Sequence, residues 1–121
     1  MRLVTKAAGL SYSDHGKTFD AVAEIDLTVE PGEFLGILGP SGSGKSSLLY
    51  LLSGLKTPTR GEIGTEDAGV VRSYADLSDA EKASLRMRAF GFVFQQPYLL
   101  GYLSALENVL TVAHAEEARA R

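Results

Sequence analysis

The chain contains no cysteine. That absence removes disulfides, thiolate zinc sites and thiol nucleophiles, and it fits a reducing compartment. Positive charge is not in excess either: 12 Lys and Arg stand against 15 Asp and Glu, a net charge of -3. The balance is six against six up to residue 60 and six against nine beyond it. With no basic stripe, a nucleic-acid partner has no electrostatic support. Long apolar runs are missing as well. No window approaches 18 apolar residues, and Met1-Arg2-Leu3-Val4-Thr5-Lys6 does not open a signal peptide, so no direct membrane insertion is expected. No repeat or linker divides the 121 residues, a length that allows one domain with a real core and hardly two.

What is present is an ordinary globular composition, 45% hydrophobic and 22% charged, with a surplus of glycine at 13 residues. Loose alternation over residues 3–12 predicts a first strand, closed by the polar break Ser13-Asp14-His15-Gly16-Lys17. Residues 19–29 place Val22, Ile25, Leu27 and Val29 against Glu24, Asp26 and Thr28, the pattern of a half-exposed antiparallel strand. After the turn at Glu30-Pro31-Gly32-Glu33 comes Phe34-Leu35-Gly36-Ile37-Leu38, an unbroken run expected to be a strand buried on both faces. A helix over residues 46–55 follows, with Leu48, Leu49, Leu51, Leu52 and Leu55 on its apolar face. Residues 62–76 read as short strands or loop. Capping boxes at Ser78/Glu81 and Ser104/Glu107 open two further helices, the second expected to run to the end of the chain. Between them, Phe90-Gly91-Phe92-Val93-Phe94 predicts a second doubly buried strand.

The surplus glycine concentrates in Gly39-Pro40-Ser41-Gly42-Ser43-Gly44-Lys45-Ser46, which fits G-x-x-x-x-G-K-[ST], the P-loop pattern. Gly39, Gly42 and Gly44 allow the backbone to wrap closely round phosphate oxygens with its N–H groups pointing inward. The following helix, starting near Ser46 and Ser47, adds the positive end of its dipole. Lys45 would meet the β- and γ-phosphates as a point charge, and the Ser46 hydroxyl would ligate Mg²⁺. A glycine-rich turn that binds nothing is the plain alternative. The context of strand before and apolar helix after favours nucleotide binding.

A P-loop alone does not name its family. Spread along the chain, however, are Leu10-Ser11-Tyr12, Val29-Glu30-Pro31-Gly32-Glu33-Phe34, Leu55-Lys56-Thr57-Pro58-Thr59-Arg60-Gly61-Glu62-Ile63 and Phe90-Gly91-Phe92-Val93-Phe94-Gln95. Together with the P-loop these resemble the nucleotide-binding domain of ABC transporter ATPases over essentially the whole chain. The run from Leu77-Ser78 to Arg86, then Gly91-Phe92-Val93-Phe94-Gln95, then Leu103-Ser104-Ala105-Leu106-Glu107-Asn108-Val109 looks like the subgroup serving lipoprotein release and macrolide export. The sequence departs from that subgroup at Gly101, where Pro is usual, and at residues 64–73, where a short hairpin is hard to recognise.

The resemblance implies an α/β fold, an incomplete P-loop NTPase core with an N-terminal antiparallel β-subdomain. Residues 1–121 would be the N-terminal part of the domain, stopping at the start of its helical subdomain. The implied cofactors are ATP and Mg²⁺. Tyr12 would stack on adenine, with an ordinary strand-end tyrosine as the alternative. Gln95, preferred over Gln96, would ligate Mg²⁺ or orient water at the contact with a membrane subunit. The phosphate cradle would comprise Gly39, Pro40, Ser41, Gly42, Ser43, Gly44, Lys45, Ser46 and Ser47. Implied partners are a transmembrane permease and a second nucleotide-binding domain, placing the protein at the cytoplasmic face of the membrane without inserting.

Two parts needed for hydrolysis are not found: a strand ending in Asp-Glu, and Leu-Ser-Gly-Gly-Gln. Leu52-Ser53-Gly54-Leu55 imitates the latter but reads as a helix C-cap. ATP binding at best, negligible turnover, exposed apolar runs and marginal stability are therefore expected. A small P-loop kinase and a non-catalytic truncated product that only associates with a transporter are the alternatives. Arg86 and Arg88 would serve the kinase reading, although a solvated helix end explains them. His15 and His114 share no ligand spacing and read as surface or packing residues. Tyr98 and Tyr102 suit either a permease-facing surface or simple packing.

Overall fold

The computed structural model of the chain describes residues 1–111. Two compact units divide it at Lys82/Ala83. In the first, strands β1 (Arg2–Asp14), β2 (Lys17–Val29), β3 (Arg60–Asp67) and β4 (Val70–Ser73) form one antiparallel sheet in the order β2-β1-β3-β4. Helix α1 (Lys45–Leu52) packs on β1, β2 and β3. A 3₁₀ turn, Tyr74–Asp76, follows β4, and helix α2 (Asp79–Ala89) runs across the boundary between the units. The expected antiparallel β-subdomain is present, and the unreadable segment 64–73 holds its second hairpin.

Both hairpins turn on two residues with positive φ: His15 and Gly16 at 46° and 77°, Ala68 and Gly69 at 49° and 80°. Such turns match the right-handed twist of the strands they join. His15 therefore sits at an exposed turn, where its ring lies 3.5 Å from Asp14 Oδ1.

The long β1–β2 ladder is bulged. Its pairing shifts between Thr5↔Leu27 and Ala8↔Ile25, and again on the way to Leu10↔Val22, with Ala7 and Glu24 at φ 46° and 41°. Side chains complete the broken ladder. The Ala7 N–H donates to Asp26 Oδ1 at 2.7 Å. Thr5 Oγ1 donates to the Ile25 carbonyl at 2.7 Å and accepts from the Leu27 N–H at 2.9 Å. Bulges of this kind bend the sheet and re-aim side chains. Here they put Thr5, Ala8, Leu10 and Val22 into the core with Ile63, Thr65, Leu51 and Leu52.

Helix α1 ends at Leu52, short of the expected Leu55, at the C-cap that Leu52-Ser53-Gly54-Leu55 indicates. Gly54, at φ 67°, donates its N–H to the Leu51 carbonyl at 3.0 Å, and the Leu55 N–H reaches the Tyr50 carbonyl at 2.9 Å. That paired pattern is a Schellman cap. Of the expected apolar face, Leu51 and Leu52 are buried, Leu48 is half-buried, and Leu49 and Leu55 are exposed.

Tyr74 fastens this end of the helix to the sheet. Buried in the core, its hydroxyl donates to the Leu52 carbonyl at 2.9 Å, and burial raises its pKa from 10.0 to about 12. A phenol whose pKa rises on folding contributes stability that is intact below pH 10 and is lost as pH climbs through about 12. Tyr74→Phe is accordingly expected to cost about 1–2 kcal/mol at neutral pH by stranding a carbonyl. The variant should also lose less stability than wild type between pH 10 and 12. Urea titrations of both proteins across that range check the expectation, and parallel pH profiles would contradict it.

Both capping boxes form. Glu81 accepts from the Ser78 hydroxyl at 2.7 Å and from its N–H at 2.8 Å, which holds the Glu81 carboxyl below its usual pKa. Glu107 accepts from the Ser104 N–H at 2.7 Å, with the same effect on its carboxyl. In the second unit a helix begins at residue 105 and is described to residue 111; its expected run to the chain end, and His114, lie outside the described residues. Asn108 clips the preceding loop, accepting from the Leu100 N–H at 2.9 Å and donating to the Ser104 carbonyl at 3.0 Å.

Two expected strands do not form. Residues 34–38 and 90–94 are irregular, and neither pairs with a strand among the described residues. A strand needs a neighbour for its N–H and C=O groups, however apolar its side chains are. Unpaired, the first run leaves Phe34 and Leu38 exposed at 100% and 94%, and Val93 in the second is fully exposed. This meets the expectation of uncovered apolar surface.

Candidate functional site: the phosphate-binding loop

The loop lies between the irregular run 34–38 and α1, and its backbone geometry explains its sequence. Gly42 and Gly44 have φ of 80° and 89°, a region that side-chain-bearing residues enter at a cost. Around Gly42 the space where a Cβ would sit is open. Gly44 differs: a Cβ there would run into the Ala21 carbonyl oxygen on β2, so only glycine lets the loop lie against that strand. A Cβ on Gly39 would come within 2.6 Å of Ser43 Oγ. The Ser43 N–H donates to the Pro40 carbonyl at 3.2 Å and closes a tight turn round Ser41 and Gly42.

Gly44 is also the N-cap of α1, and no side chain caps that end. The first N–H groups of a helix have no intrahelical partners, so those of Lys45, Ser46 and Ser47 are available to an anion along with the positive end of the dipole. Lys45 supplies the charge. Its ammonium donates to the Gly39 carbonyl at 2.8 Å and the Pro40 carbonyl at 2.7 Å, with Ser43 Oγ at 3.3 Å. The side chain thus folds back over the loop, and its charge is held against the Gly39 and Pro40 carbonyls. Ser46, one residue on, is exposed at the same helix end.

These features fit a polyphosphate, since the open space at Gly42, the uncapped helix and the positioned ammonium all suit clustered negative oxygens. Among the described residues no group of three His, Asp or Glu side chains is arranged to hold a metal by itself. Mg²⁺ commonly binds through one or two protein oxygens, several waters and the phosphates of a nucleotide. A lone hydroxyl from Ser46 suits that mode.

Tyr12 stands at the end of β1, opposite Phe19 on β2, with ring centroids 5.5 Å apart. It is half-buried, and Lys56 Nζ lies 5.5 Å from its ring centroid. Lys56 was not singled out by sequence reasoning. The contact joins residues distant in the chain, and no local signal announces it. Nearby, Asp20 accepts from the Ser11 hydroxyl at 2.6 Å and from Arg60 at 3.0 Å, and both hold its carboxyl below the usual range.

Gln95 belongs to the second unit. There Phe92 and Phe94 stack at 5.5 Å, and Tyr98 meets Phe94 edge-on at 5.2 Å. The two rings bracket the exposed bend that carries Gln95 and Gln96. Tyr98 therefore packs locally while remaining largely exposed, and Tyr102 is largely exposed too. Arg86 and Arg88 lie in the last turn of α2, where positive charge complements the helix dipole.

A glycine-shaped loop at the N-terminus of a helix, with a lysine folded over it, has the form of a P-loop. The family model described as ABC transporter matches residues 22–121. The chain belongs to the ABC transporter family. It is 42% identical over 99 residues to the lipoprotein-releasing system ATP-binding protein LolD of Myxococcus xanthus, covering 82% of this chain and 42% of that protein. It is likewise 42% identical over 107 residues to the macrolide export ATP-binding/permease protein MacB of Rhodopseudomonas palustris, covering 88% of this chain and 16% of that one. Among solved structures, the dimeric post-hydrolysis state of the ATP-binding cassette MJ0796 bound to ADP and Pi superposes with a TM-score of 0.79 at 37% identity. That match covers 88% of this chain and 44% of the cassette. The α/β ATPase-cassette fold and the lipoprotein-release and macrolide-export subgroup both agree with the sequence resemblance. The chain spans less than half the length of the LolD relative.

Proposed function

We propose that this chain binds Mg²⁺-ATP as the N-terminal part, residues 1–121, of the nucleotide-binding domain of an ABC transporter, reaching into the first helix of the helical subdomain. The observation that carries the reading is the phosphate loop, in which left-handed Gly42 and Gly44, the uncapped start of α1 and the Lys45 ammonium converge. Residues 39–47 hold the phosphates, Ser46 gives Mg²⁺ a hydroxyl, and Tyr12 offers a ring to the base. Gln95 serves as the second metal or water ligand. The whole domain works beside a transmembrane permease and a second cassette, on the cytoplasmic side of the membrane. No helix among the described residues is long and apolar enough to cross a bilayer.

Supporting the nucleotide reading is a chemical requirement. Lys45 and the loop address the β- and γ-phosphates, so affinity must depend on phosphate number. Calorimetric titration of the 121-residue chain with ATP, ADP and AMP in Mg²⁺ is expected to show saturable binding of ATP and ADP. AMP should bind at least about tenfold more weakly, the loss of one charge-assisted contact. Phosphate release from ATP should stay at background, because the chain has no Asp-Glu strand end to supply a catalytic carboxylate. Equal affinity for AMP and ATP would defeat the proposal.

A further inference from the structure

Lys56 has no part in the P-loop pattern, yet its ammonium lies over the Tyr12 ring, 5.5 Å from the centroid. Its backbone is fixed independently of that contact. The Lys56 N–H donates at 3.0 Å to the Tyr50 carbonyl, which already accepts from Leu55 in the Schellman cap of α1. Tyr12 is held from a second direction by Phe19, its cross-strand neighbour, with rings tilted 32°. A continuous series of contacts therefore leads from α1, whose first turn carries the phosphate loop, through its C-terminal cap and Lys56 to the aromatic ring at the end of β1.

We propose that Lys56 is a positioning residue for the nucleobase: by its cation–π contact it fixes the Tyr12 ring relative to α1, and so sets the distance from base platform to phosphate loop. The proposal rests on the nucleotide reading above and extends it to a residue outside the phosphate loop. A nucleotide is nearly rigid between base and phosphates once bound at both ends. A ring already held at the matching distance spares the ordering that a mobile ring would require on binding. Lys56 need not touch the ligand for this effect, which separates it from Lys45. An ammonium over an aromatic face at an exposed site changes an equilibrium by roughly two- to fivefold.

The ligand pair ATP and tripolyphosphate isolates the effect, because tripolyphosphate uses the loop and has no base. In calorimetry on the 121-residue chain, Lys56→Met is expected to weaken ATP binding roughly two- to fivefold and to leave tripolyphosphate binding unchanged. Lys56→Arg, which keeps the cation over the ring, should restore ATP affinity. In a Tyr12→Ala background Lys56→Met should have no further effect. Equal weakening of both ligands would mean that Lys56 acts on the phosphates and would overturn the proposal. So would a loss that persists without the Tyr12 ring, or ATP binding unaltered by Lys56→Met. Failure of the nucleotide reading looks different, since wild type would then bind neither ligand.

Discussion

Lys45→Ala is expected to reduce ATP binding at least about a hundredfold, beyond detection in an ordinary titration. The reasoning starts from where the ammonium sits. It is tied to the Gly39 and Pro40 carbonyls at 2.8 and 2.7 Å and so is carried on the loop itself. Removing it takes away the loop's one cation and leaves the uncapped start of α1 alone against several phosphate charges. Hydrogen bonds to charged groups contribute about 1.5–3 kcal/mol each, and two phosphates share this donor. A total near 3 kcal/mol corresponds to about a hundredfold. Stability should change little, by less than about 1 kcal/mol, because the bonds broken are exposed to solvent. Lys45→Met, which keeps the side-chain length, should fail as badly as Ala. The comparison needs two readings on each variant: nucleotide affinity and urea midpoint. Binding retained within threefold by a folded Lys45→Ala chain would remove the phosphate role from this residue.

Much of this site was legible because its chemistry is local. The P-loop pattern, both capping boxes and the Schellman end at Gly54 each depend on residues a few positions apart, and the caps form as read. The bulges in the long hairpin left a trace too. Apolar positions on β2 fall at Val22, Ile25, Leu27 and Val29, and the single step of three among steps of two lies where Glu24 takes positive φ. One extra residue there keeps every later apolar side chain on the same face, which strict alternation would have reversed.

What stayed hidden depends on partners or on strain. The β3–β4 hairpin turns at Ala68-Gly69, with Ala68 at φ 49°, where alanine gives none of the signal that Asn or Asp would. Tyr74 and Lys56 act through contacts with residues far away in the chain. The runs at 34–38 and 90–94 show the opposite error. Their composition states that they are suited to burial, but burial also needs a neighbouring strand, and no segment encodes its own neighbour.

Gly44→Ala is expected to destabilise the fold most among the loop glycines, and a three-member series shows why. A Cβ at Gly39 would crowd only Ser43 Oγ, the end of a short side chain that can rotate away, so Gly39→Ala should cost well under about 1 kcal/mol. At Gly42 the space is open but φ is 80°, and forcing alanine into the left-handed region costs about 1–2 kcal/mol. Gly44 has the same backbone cost at φ 89°, and its Cβ would also collide with the Ala21 carbonyl oxygen. That oxygen belongs to backbone on β2 and cannot rotate away, so the loop itself must lift off the strand. Lifting it pulls the start of α1 from the sheet that buries Leu51 and Leu52. Partial loss of two core leucines adds about 2–3 kcal/mol to the strain. With its apolar runs exposed the chain starts from marginal stability, so a loss of about 3–5 kcal/mol in Gly44→Ala should leave a substantial unfolded fraction at 37 °C. Urea midpoints are expected to fall in the order Gly39→Ala, Gly42→Ala, Gly44→Ala. Equal midpoints for the last two would show that left-handed strain alone selects glycine here, with the approach to Ala21 contributing nothing.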